Sequence, residues 1–277
     1  MTVIAITREL GTRGLDVAKG LGERLGLNVV NDELIERDIA QLTGLSGEVV
    51  HRYFDNTASV LERWRTNEKQ LSESTTEEIL DLATKDNVVI RGWGAPYLLR
   101  DIPHVLCVRV CAPMPVREKV LVERGLAPNV EAARKAIGQQ DAANDRVMRR
   151  LFGTDGRDAS VYSLVLNTAR LDVERCIEQI AGVASVEAFQ QTAQSQRTLL
   201  DRLVMHRVRS KLDKNLGSDQ RFTQIHAEVV DGHVTLSGQS MFAEVNEVAA
   251  GLIRGIDGVV DVHSGITVLP YYRRLAA

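Results

Sequence analysis

The sequence predicts an α/β domain, a parallel sheet with helices on both faces, followed by a smaller α+β unit of order α-β-β-α-β. Three observations predict it. The β-branched run Val3-Ile4-Ala5-Ile6 enters the turn Gly11-Thr12-Arg13-Gly14, and apolar residues then recur at Leu15, Val17, Ala18, Leu21 and Leu25, close to helical spacing. Short apolar runs at residues 87–95, 105–110 and 162–168 alternate with helical patterns, as the strands of a parallel sheet do. Beyond residue 198 two alternating runs flank Asp231-Gly232, a tight hairpin signal.

The composition bounds the function. A chain of 277 residues has room for two domains, and 44% hydrophobic residues with 26% charged ones can build a real core. The net charge of −3 gives no electrostatic case for nucleic acid or an anionic membrane surface. No apolar run approaches the ~18 residues of a membrane-spanning helix. The chain moves straight into a strand without a signal-peptide pattern. Its three cysteines, Cys107, Cys111 and Cys176, lack metal-ligand spacing and read as reduced thiols. The expectation is a cytoplasmic protein with no transmembrane segment.

The elements follow in order. Residues 27–35 read as a short strand running into a helix, with Asp32 a candidate helix cap. Residues 36–86 are helix-rich, and the charges around Trp64 fit a solvated face. Residues 115–124 and 130–140 read as two helices, the second capped by Asn129, and residues 173–180 as another. The glutamine-rich passage 190–196 reads as a linker. After it come a helix over 201–212, strands at 225–230 and 233–238, a helix over 243–251 and a last strand from 258. His226, His233 and His263 lack ligand spacing and fit surface positions, with His226 and His233 open to meeting across the hairpin.

Strand, glycine loop and helix is the layout of a phosphate-binding loop, where backbone N–H groups curl around an anion at the positive end of a helix. It is also the layout of any strand–turn–helix corner. Laid against the nucleoside monophosphate kinase loop (I-A-I-D-G-P-S-G-S-G-K-G-T-V-A-K), IAITRELGTRGLDVAK aligns without a gap. The loop lysine falls on Gly14, and the hydroxyl that meets Mg²⁺ falls on Asp16. Thr7–Gly14 resembles the cytidylate kinase-like family, whose loop reads S-R-E-x-G-S-G-G-R-x-I-A. Arg13 stands where that family has a glycine. Residues 141–153 resemble its lid (D-x-x-R-x-x-Y-x-R-x-F-F-G), and residues 162–168 its Y-D-L-V-L-N-T ending.

The resemblance implies a P-loop kinase-like core over residues 1–185, a linker at 186–197 and, at 198–270, a unit resembling a BON domain. That last match rests on V-x-D-G-x-V-T-L-S-G and I-x-G-V-x-D-V. It further implies transfer of a phosphoryl group from ATP to CMP. Gly11, Thr12, Arg13, Gly14 and Asp16 would hold ATP, with Asp16 also the Mg²⁺ ligand. Asp32, Arg91 and Trp93 would stand on the acceptor side, and Arg146, Arg149 and Arg150 would neutralise the phosphate in flight. The family's acceptor arginine falls on Trp93 and its lid arginine on Asn144, so activity is expected to be weakened. Gly14→Lys is a route to stronger ATP binding, partly offset by Asp16. The alternative is a non-catalytic nucleotide sensor or scaffold whose BON unit binds a phospholipid, a small ligand or a protein. Peripheral membrane contact stays open through that unit.

Overall fold

The computed structural model describes residues 2–30, 68–92, 94–216 and 225–269, and Asp32 and Trp93 lie outside them. The chain divides into two compact units, Met1–Ser195 and Gln196–Ala277.

In the first unit β1 (Val3–Arg8) leads to α1 (Gly14–Leu25) and β2 (Asn28–Val30). Then come α2 (Glu68–Thr84), β3 (Val88–Arg91), α3 (Ala95–Leu99) and β4 (Val105–Cys111). The unit continues with α4 (Met114–Glu123), α5 (Val130–Phe152), β5 (Leu164–Asn167) and α6 (Val173–Ala184). The five strands pair in the order β2-β3-β1-β4-β5, every pairing parallel. Parallel strands buried on both faces need near-continuous apolar runs, which is why Val3 to Ile6 are all fully buried. One face is settled by packing: Ile4, Ile6, Val89, Leu106 and Val108 cluster with Val17, Ala18 and Leu21 of α1 and with Ile177 and Ile180 of α6.

Helix α5 differs from the expected second helix of the pair. Its Asn129 cap forms, the side chain accepting from the Ala132 amide at 2.8 Å. The helix then runs on to Phe152 instead of stopping near residue 140, and it ends where Gly153 takes a left-handed φ of 69°.

Helix α7 (Ala193–Leu216) begins three residues before the second unit and continues in it, followed by β6 (Ile225–Val230), β7 (His233–Ser240), α8 (Val245–Ile253) and β8 (Asp261–Val268). The sheet order is β6-β7-β8, antiparallel then parallel. The expected linker is helical from Ala193 onward, because glutamine is a good helix former. Thr192 and Ser195 also cap each other's amides reciprocally, at 3.0 and 2.9 Å. Asp231 and Gly232 both have positive φ, the hairpin turn the sequence predicts. His226 pairs with Ser237 and His233 with Val230, so those two histidines sit four residues apart along the hairpin and do not meet. His226, His233 and His263 are exposed, and His206 on α7 is half-buried.

A different histidine has a consequence for stability. His104, just before β4, is 1% exposed, and neither ring nitrogen has a hydrogen-bond partner among the described residues. Burial holds its pKa below the ordinary 6.5, against the opposing pull of Asp86. The unfolded ring therefore takes a proton before the folded one does. Stability should be flat above about pH 7 and fall as pH drops through 6.5, with a slope approaching ~1.4 kcal/mol per pH unit from this one group. Urea unfolding between pH 5 and 8 should show that slope, and His104→Leu should remove its share.

Candidate functional site

The site is built at the carboxyl ends of β1, β3 and β4, where an open parallel sheet leaves a crevice for ligands. After Arg8 the chain turns sharply. The Glu9 carbonyl accepts from both the Thr12 amide (3.3 Å) and the Thr12 hydroxyl (2.7 Å). Thr12 is 1% exposed, so its hydroxyl fastens the turn and is not displayed to a ligand. Gly11 (φ 82°) and Arg13 (φ 58°) are both left-handed. The second value explains why the family's loop has a glycine there: a side chain at positive φ is strained.

Helix α1 begins with no side-chain cap. The amides of Gly11, Arg13, Gly14 and Leu15 have no hydrogen-bond partner among the described residues. These are the donors of an anion cradle.

The charged residues around the loop are committed in several directions. Arg13 lies 3.9 Å from Glu123, both half-exposed, a pair of little energetic weight. The Asp16 carboxylate is held by Arg124. Both partners come from the end of α4, so Asp16 does not present a free carboxylate, and Thr12 offers no free hydroxyl. Among the described residues no group of three or more acidic, histidine or cysteine side chains gathers to hold a metal. Among the described residues of the loop, Asp16 and Thr12 are thus both committed and neither offers a free magnesium ligand.

A partly buried network beneath the loop was not legible in the motifs. Glu9 pairs with Arg109 at 2.6 Å and stands 3.6 Å from Arg117. Arg117, 4% exposed, donates to the Leu10 carbonyl at 2.7 Å and clasps Asp141 of α5 at 2.7 and 2.8 Å. Arg109 also donates to the Gly156 carbonyl, which accepts from the Tyr162 phenol at 2.7 Å. Burial pushes the Tyr162 phenol above its ordinary pKa. It also pushes the neighbouring Cys107 thiol up to about 12, which removes that thiol from nucleophilic chemistry near neutral pH.

Arg146, Arg149 and Arg150 lie exposed on the last two turns of α5, with Arg149 3.9 Å from Asp155. Asn144, at the lid-arginine position, is exposed and accepts from Gln140 at 3.3 Å. The connection the structure shows between this helix and the loop runs through Arg117, not through the three arginines. Arg91 ends β3, pairs in register with Ile6 and is 5% exposed. By strand alternation it shares the α1 face with Ile4, Ile6 and Val89.

Gly14 is closed to the lysine that kinase loops have. A Cβ there would lie 2.8 Å from Arg8 Cβ and 3.0 Å from Arg8 Cδ. The expectation that Gly14→Lys strengthens binding is corrected on that ground, since the new side chain would have to displace Arg8.

Comparison with known proteins bears on this geometry. The profile of the cytidylate kinase-like family matches residues 3–170, and that of the BON domain matches residues 204–270. The cytidylate kinase of Staphylothermus marinus is 29% identical over 175 residues, 63% of this chain and 92% of that one. That of Pyrobaculum aerophilum is 23% identical over 177 residues, 64% of this chain and 89% of that one. A crystal structure of an uncharacterized protein from Eubacterium ventriosum superposes with a TM-score of 0.53 at 19% identity, covering 66% of this chain and 97% of that one, a likeness of fold.

Proposed function

Because this chain belongs to the cytidylate kinase-like family, with a BON domain behind the kinase-like unit, we propose that its loop Gly11–Gly14 binds the phosphates of ATP and that transfer to CMP is slow. The observation that carries the reading is the set of open amides at Gly11, Arg13, Gly14 and Leu15, at the uncapped start of α1. Backbone donors bind an anion whatever the side chains are, so binding survives the substitutions in the motif. Chemistry depends on cations fixed around the phosphoryl group in flight. Here Trp93 and Asn144 stand where the family motifs have arginines, and Gly14 stands where the nucleoside monophosphate kinase loop has its lysine. Loss of one well-placed stabilising group costs about 3–4 kcal/mol of barrier by analogy with oxyanion holes.

Arg146, Arg149 and Arg150 are the cations left to cover the transferred group, with Arg91 and Asp32 on the acceptor side. A sensor reading has its own support in the Asp16–Arg124 pair, which withdraws the expected metal ligand. The BON domain is then the output module, its ligand a phospholipid, a small molecule or a protein. Among the described residues no helix is long and apolar enough to cross a membrane.

Calorimetric titration with ATP, with and without Mg²⁺, together with a CMP phosphorylation assay, tests the reading. The expected result is millimolar or tighter ATP binding with turnover far below the ~1–100 s⁻¹ of ordinary kinases. Trp93→Arg combined with Asn144→Arg should raise turnover more than either change alone. Turnover in the ordinary range by the unaltered chain would defeat the claim of weakened chemistry. An absence of ATP binding would defeat the claim of a nucleotide site.

A further inference from the structure

The site needs a cation where kinase loops place a lysine, and the lysine position is a glycine. We propose that Arg8 supplies that cation from the strand side of the loop and contacts the β/γ-phosphates of a bound triphosphate. The inference rests on the nucleotide-binding reading above and goes beyond it by assigning a residue and a ligand group.

Three observations place Arg8. It is the last residue of β1, and alternation puts it on the face where Ile4 and Ile6 pack against α1. Its stem lies over the first residue of α1: a Cβ at Gly14 would meet Arg8 Cβ at 2.8 Å, Cδ at 3.0 Å and Cγ at 3.5 Å. The lane a lysine at position 14 would take is therefore filled by the aliphatic part of an arginine. The absence of a side chain at position 14 is what lets that stem lie so close to the backbone. The cradle amides of Gly11, Arg13, Gly14 and Leu15 lie at the same turn of helix that the Arg8 stem covers.

The chemistry suits the exchange. A guanidinium offers a planar fork of donors that matches two phosphate oxygens and stays charged at every relevant pH, whereas an ammonium is a compact point charge. Glycine at 14 and arginine at 8 are then two halves of one arrangement.

The test measures ATP and inorganic tripolyphosphate affinity by calorimetry on the full chain. Arg8→Met keeps the stem over Gly14 and removes the charge. It should weaken both ligands by about 10- to 100-fold, the range of a charge-assisted hydrogen bond. Gly14→Lys alone should also weaken binding, because its Cβ collides with the Arg8 stem. Arg8→Gly combined with Gly14→Lys removes the Cβ contact as well as the stem, opens the lane to the lysine and should regain most of the affinity that Arg8→Gly loses. A purely structural role for Arg8 would not produce that rescue.

Folded Arg8→Met protein that binds ATP as the unaltered chain does would overturn the assignment. So would a double variant no better than Arg8→Gly. If the unaltered chain binds neither ligand, the nucleotide reading itself fails, and the two failures are thereby told apart.

Discussion

Arg117→Met is expected to destabilise the first unit by about 1–3 kcal/mol, the cost of leaving partly buried acceptors without their donor. Arg117 is 4% exposed and answers three acceptors at once: the Leu10 carbonyl, the Asp141 carboxylate in two bonds, and Glu9 at 3.6 Å. Methionine fills much of the same volume, so the loss is electrostatic and not a cavity. It leaves Asp141 without its charge partner and the Leu10 carbonyl without a donor. Glu9 keeps Arg109 at 2.6 Å, which confines the damage to the side of the loop facing α5.

Urea unfolding gives the magnitude. Arg117→Met combined with Asp141→Leu should cost less than the sum of the single changes, because the stranded carboxylate goes too. A cost below about 1 kcal/mol for the single change, the level of an exposed pair, would show that this network does not hold the loop.

Gly11→Val should abolish ATP binding and destabilise the fold as well. Gly11 sits at φ 82°, where a β-branched residue is strained by about 1–3 kcal/mol. Its added Cβ would lie 2.6 Å from the Arg117 carbonyl oxygen and 2.8 Å from Leu121 Cδ1. The carbonyl belongs to helix backbone and has no room to give, so the loop must move and its amides lose their common aim. Calorimetry should find no ATP affinity at millimolar nucleotide, and the melting temperature should fall. Gly11→Ala meets the same carbonyl and should be nearly as damaging. Unchanged ATP affinity in a folded Gly11→Val protein would mean that the anion does not sit on these amides.

The elements were legible where the signal is local. Alternation and apolar runs come from neighbouring residues, so β3, β4, β5, the hairpin at Asp231-Gly232 and the Asn129 cap all stand where the sequence places them. The boundaries that moved are also local in cause. Mostly helix-forming residues with no proline between 130 and 152 carry α5 through Gly138 to Phe152, and the Thr192–Ser195 cap starts α7 within the glutamine-rich passage. A polar composition reads as a linker and folds equally well as a solvated helix.

The sequence by itself determined the family, the parallel sheet, the presence of a glycine loop before α1 and the lack of a lysine in it, because each is written in contiguous residues or short spacings. The tertiary structure alone decided what the loop's side chains do. Glu9 finds Arg109 100 residues along the chain, Asp16 finds Arg124 108 residues along, and Arg117 joins the loop to Asp141. In the second unit the Asp201 carboxylate takes the hairpin amides of Asp231 and Gly232 at 2.9 Å, and Asn246 ties α8 to Ile266 of β8. Nothing in a spacing rule selects these partners. A carboxylate pairs with whichever cation the packed helices bring within reach, and packing fixes that distance only after the apolar faces have closed.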